Sequence, residues 1–116
     1  MQIQLNTDNH VQGADSLGEW AERLLRERLG RFVDHITRIE VHLSDVNGAR
    51  VTGHDKRCLL EARLAGRQPM AVSHEADRVA DAVQGAADKL ARAMDTALGR
   101  RRDADGRASI RAGEAE

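Results

Sequence analysis

Residues 37–73 read TRIEVHLSDVNGARVTGHDKRCLLEARLAGRQPMAVS, and this stretch decides the fold. From Thr37 to Ser44, Ile39, Val41 and Leu43 alternate with Arg38, Glu40 and His42. That period of two is the mark of a strand with one buried face. Arg57 to Leu64 repeats the pattern, with Cys58, Leu60, Ala62 and Leu64 on one side. The polar segment Asp45 to Asp55 between them carries Asn47-Gly48, a turn dipeptide, and Gly53. Gly66 to Gln68 can turn tightly into a further strand, Pro69 to Ser73. Pro69 suits an edge, because proline donates nothing to a ladder. Three strands in succession with such links form antiparallel hairpins.

Upstream, Gln2 to Asn6 alternates in the same way through Ile3 and Leu5, and a polar loop from Thr7 to Ala14 follows. Asp15 or Ser16 can cap a helix, with Glu19 three residues after Ser16 as in a capping box. Leu17, Trp20, Ala21, Leu24, Leu25 and Leu29 then recur at helical spacing, and Gly30 marks the end. Downstream, a second helix is expected from His74 or Glu75. Its apolar face runs through Ala76, Val79, Ala80, Val83, Ala87, Leu90, Met94, Ala97 and Leu98, and Gly99 is expected to break it. Asp103 to Glu116 has no apolar period and reads as a disordered tail, leaving residues 1–102 as the folded domain.

The order is therefore β-α-β-β-β-α. Two amphipathic helices and alternating strands pack economically as an α+β domain: a four-stranded mixed sheet with both helices on one face and the other face wet. The strand-helix-strand crossover should be parallel and right-handed.

With 18 basic and 19 acidic residues, the net charge is −1, so bulk charge announces neither nucleic acid nor a membrane surface. Apolar runs never exceed three residues, which excludes a membrane-spanning helix. Met1-Gln2-Ile3-Gln4 is not a secretory leader, and the expected compartment is the cytoplasm. Cys58 is the one cysteine, so neither an internal disulfide nor a cysteine-rich zinc site can form. It alternates with Leu60 and Ala62 as a core residue rather than a nucleophile. The five histidines include no i, i+4 helical pair and suggest no metal site. His10, in the first loop, is a weaker candidate for RNA contact. No acid, base and nucleophile constellation is visible, and neither an enzyme nor a cofactor is expected.

Three stretches carry a resemblance to a known family: the opening MQIQLNTDNH before a capped helix, RIEVHLS at 38–44, and GAADKLARAM at 85–94. Together with the element order over residues 1–102, they resemble the ribosome hibernation-promoting factor family, which includes ribosome-associated inhibitor A. The resemblance implies no catalysis. It implies a protein that binds the small ribosomal subunit and its rRNA in the mRNA and tRNA channel and inhibits translation under stress. Long members add a C-terminal domain that dimerises ribosomes. This chain resembles the short form, which would need a second factor to pair ribosomes.

Charge is polarised along the helices. From Lys89 to Arg102, five basic residues stand against Asp95, a net +4, whereas Glu75 to Asp88 carries −3. The rRNA-binding candidates are Arg23, Arg26 and Arg28 on the first helix, and Lys89, Arg92, Arg100, Arg101 and Arg102 on the second. Each has an ordinary alternative. Arg100 to Arg102 complement a helix dipole at its C-terminal end. Arg92 can pair with Asp88 and Asp95, and Arg23 with Glu27. Trp20 falls on the apolar stripe, Phe32 closes the core, and there is no Tyr. The wet sheet face (Arg38, Glu40, His42, Arg57, Leu59, Glu61, Arg63) offers no aromatic on which bases could stack. RNA recognition would then go through backbone and shape. The runner-up reading is a protein-interaction domain of the same fold with little ribosome affinity, presenting the acidic half of the second helix.

Overall fold

The computed structural model describes residues 1–7, 14–45 and 56–110, with the backbone alone at 14–15 and 100–110. The elements are β1 (Gln2–Thr7), α1 (Ala14–Leu29), a 3-10 turn (Gly30–Phe32), β2 (Ile36–Asp45), β3 (Lys56–Leu64), β4 (Met70–Ala76) and α2 (Val79–Ile110). The sheet order is β1-β2-β3-β4. β1 pairs parallel with β2, and the two other pairs are antiparallel. The β-α-β-β-β-α order, the mixed sheet and the two helices agree with the expectation from sequence. His10 and the Asn47-Gly48 turn lie outside the described residues.

The core lies between the sheet and the helices. Alternation delivers Ile39, Val41 and Leu43 from β2 and Cys58, Leu60 and Ala62 from β3, all buried. Helical spacing delivers Ala21, Leu25 and Leu29 from α1, and Ala82, Val83, Ala86, Ala87, Leu90 and Met94 from α2. Burying each of the larger side chains is worth about 1.5–3 kcal/mol. Ile36 is also buried, although strict alternation from Ile39 would turn it outward. The register shifts between Ile36 and Arg38, and this irregularity brings Ile36 back to the core. Gly66, with φ of 71°, makes the left-handed turn into β4.

Glycine also sets how closely the helices approach. A Cβ on Gly18 would meet Leu5 Cδ2 at 2.9 Å, so α1 rests directly on β1 there. A Cβ on Gly85 would collide with the imidazole of His74, so α2 lies against β4 with that ring beneath it.

The boundary at His74 differs from the expectation that α2 begins there. β4 continues to Ala76, because β3 reaches back to Lys56 and offers partners: Cys58 opposite His74, Arg57 opposite Glu75, Lys56 opposite Ala76. Ladder pairing outcompetes a helical first turn for these residues. The helix begins at Val79 and runs through Gly99 to Ile110. The break expected at Gly99 and the disordered tail expected from Asp103 therefore do not appear through Ile110; each interior glycine, Gly99 and Gly106 alike, costs only about 1 kcal/mol relative to alanine. Trp20 and Leu24, expected in the core, pack against it but remain half-buried.

Candidate nucleic-acid interface

An arginine or lysine grips a phosphate best where its charge is not already matched within the protein. The two helices lie side by side over the sheet. Arg26 Nε donates to Glu22 Oε2 at 3.1 Å, and its Nη1 to the Met1 carbonyl at 3.1 Å, which ties α1 to the N-terminus. Arg28 Nη1 reaches Asp88 Oδ1 at 2.5 Å, bridging α1 to α2. Lys89 Nζ donates to the Ser73 carbonyl at 2.9 Å, tying α2 to the edge strand β4. Three of the eight predicted site residues are therefore engaged within the domain.

Arg23 and Arg92 have no side-chain ion pair among the described residues. Arg100, Arg101 and Arg102 lie on the helical continuation of α2. The pairing of Arg92 with Asp88 and Asp95 does not form, because both aspartates face α1. Asp88 takes Arg28, and Asp95 takes a residue that sequence reading missed. Arg31 Nη1 and Nη2 donate to Asp95 Oδ1 and Oδ2 at 2.8 and 2.9 Å, and the guanidinium lies 4.4 Å from the Phe32 ring centroid. The hydrogen bond with Asp95 raises the Arg31 pKa further, so the guanidinium keeps its charge in the pair. The signal that could have found it is the seven-residue spacing of Asp88 and Asp95. That is two turns, so both aspartates fall on one side of α2.

The pairing has an electrostatic consequence. Asp95 is the lone acid of the 89–102 window, and Arg31 matches it across the helix interface. Within that window Arg92 has no ion pair among the described residues, and α1 adds Arg23.

The opposite surface differs in kind. Arg38 Nη2 hydrogen-bonds Gln4 and lies 3.4 Å from Glu40 Oε2. His42 Nε2 is 2.9 Å from Glu61 Oε1. Arg57, Glu61 and Arg63 are exposed, and no aromatic side chain stands on this face among the described residues. Charges of both signs alternate there, without a platform for bases. Cys58 points the other way, into the core. Burial pushes its thiol pKa up to about 12, so no thiolate is available as a nucleophile.

Residues 5–102 match the model of a family described as sigma 54 modulation protein / S30EA ribosomal protein. The chain belongs to this family. The S30EA match spans the 38–44 and 85–94 stretches on which the hibernation-factor resemblance rests. The N-terminal domain of Protein Y from Thermus thermophilus is 26% identical, with a TM-score of 0.62, over 78% of this chain and 92% of that one. A ribosomal subunit interface protein from Coxiella burnetii has the same fold, with 20% identity and a TM-score of 0.65 over 85% and 99% of the two chains. No curated protein matches the sequence. The S30EA family consists of ribosome-associated factors rather than enzymes.

Proposed function

We propose that this chain is a ribosome hibernation factor that binds the small ribosomal subunit in the mRNA and tRNA channel and inhibits translation under stress. Membership of the S30EA family over residues 5–102 carries this reading. Phosphate contacts come from Arg23 and Arg92, which have no ion pair among the described residues, and from Arg100, Arg101 and Arg102 on the basic continuation of α2. Arg26, Arg28 and Lys89 act mainly by holding the helices and β4 in place. The partners are the small subunit and its rRNA in the cytoplasm. Because recognition goes through phosphates, affinity falls steeply with salt. Five phosphate contacts give a slope of about −3.5 to −4.5, or roughly 100- to 500-fold between 50 and 200 mM salt.

The test is cosedimentation of the purified chain with small subunits at those two salt concentrations. Replacing the five arginines by alanine should abolish comigration while leaving the melting temperature nearly unchanged. Replacing Arg38, Arg57 and Arg63 on the sheet face should do little. Equal losses from both sets would reduce binding to diffuse attraction, and loss from the sheet set alone would put the RNA surface on the other side.

A protein-interaction domain with weak ribosome affinity is the second reading. It is favoured by the internal neutralisation of Arg26, Arg28 and Arg31. Failure to comigrate even at the lower salt would select it.

A further inference from the structure

The open face of the sheet gathers three groups that the chain keeps apart. Glu40 and His42 stand two residues apart on β2 and so share a face. β3 sets Glu61 directly opposite Glu40. One ligand atom from each residue lies within 4.8 Å of the other two. His42 Nε2 is 2.9 Å from Glu61 Oε1 and 3.6 Å from Glu40 Oε1. A tetrahedral ion with bonds of about 2.0–2.1 Å to nitrogen and oxygen holds its ligand atoms about 3.3 Å apart. The two measured edges bracket that value.

We propose that Glu40, His42 and Glu61 form a zinc-binding site, with solvent water completing the coordination. Four observations support it beyond proximity. The set is mixed, an imidazole nitrogen between two carboxylates, which is the donor chemistry zinc takes in the absence of thiolate. Two carboxylates directly opposite each other on neighbouring strands repel, and a divalent cation between them reverses the sign of that term. Arg38 lies beside Glu40 Oε2, the oxygen turned away from His42, and so orients the carboxylate with Oε1 facing the imidazole. All three residues sit on the two central strands of the sheet, so their spacing is held by ladder pairing on both sides. The side chains of His42, Glu40 and Glu61 are 36%, 21% and 50% exposed, open enough for an ion and its water to enter. Histidine spacing along the chain showed none of this, because two of the three ligands are glutamates and one belongs to another strand.

The experiment is calorimetric titration of zinc chloride into the untagged, chelator-stripped full chain. One equivalent should bind. His42→Ala and Glu61→Gln should each weaken binding at least about tenfold while keeping the circular dichroism spectrum, since neither side chain enters the core. His35→Ala, at an exposed position off the sheet, should bind as the parent does. In heteronuclear NMR, zinc should shift the His42 imidazole nitrogens and leave those of His74 in place. Absence of binding by the parent chain overturns the proposal, in which case His42 serves only as the hydrogen-bond partner of Glu61. Undiminished binding by His42→Ala and Glu61→Gln overturns it equally.

Discussion

Gly85→Ala should destabilise this domain, although the same change in an unencumbered helix stabilises it. Alanine is preferred over glycine in a helix interior by about 1 kcal/mol. Here the added methyl would occupy the space of the His74 ring, colliding with Cγ as well as Cδ2 and Nε2. Because Cγ is involved, tilting the ring tip does not relieve the contact. Either α2 lifts from β4 or His74 leaves its place. Overpacking of this kind costs about 1–3 kcal/mol, so the net loss is about 1 kcal/mol, or roughly 4–8 °C in melting temperature. The companion variant His74→Ala removes the obstacle. In that background Gly85→Ala should stabilise by several tenths to about 1 kcal/mol, and the double-mutant cycle should yield a coupling of about 1–3 kcal/mol. Urea denaturation of the four proteins supplies all the terms. A stabilising Gly85→Ala in the parent, or the same effect in both backgrounds, would refute the placement of His74 beneath α2. With it would go the extension of β4 through Ala76.

Leu90→Asp should abolish the cooperative unfolding transition, because it places an unpaired charge at a fully buried position between α2 and the sheet; unchanged circular dichroism and melting temperature would show that this helix face is misassigned. Cys58 should make stability fall with rising pH. Its folded pKa of about 12 lies above the unfolded value, so the unfolded chain loses its proton first and the neutral-thiol contribution is lost from about pH 8.5 upward, at no more than about 1.4 kcal/mol per pH unit. Comparing parent and Cys58→Val by urea denaturation at pH 7.5 and 10 checks this, and parallel curves would refute it. Deleting residues 103–116 should change the melting temperature by no more than about 1–2 °C, since the segment has no apolar period to bury; calorimetry on the truncated chain decides it.

What the sequence determined by itself is whatever depends on neighbours along the chain. Ile39, Val41 and Leu43 declare a strand and its buried face, and Leu17 through Leu29 declare a helix and its stripe, because side-chain direction follows the local backbone period. The order of such segments, with short hairpin links, then admits few packings, and the four-stranded sheet under two helices is one of them. Charge polarity along α2 was legible for the same reason, being a property of consecutive residues.

Only the tertiary structure decided what depends on register between segments far apart in the chain. Whether His74 opens a helix or extends a strand turned on Cys58, sixteen residues earlier, being there to pair with it. Which arginines remain available turned on Asp88 and Asp95 meeting Arg28 and Arg31 across the helix interface, more than fifty residues away in sequence. Glu61 joins Glu40 and His42 through a pairing set across the β2–β3 connection. Periodicity tells each residue which way to point, but not which residue of another segment it will face. That choice is made by the packing of the whole core, where a slip of one position would turn every buried side chain outward.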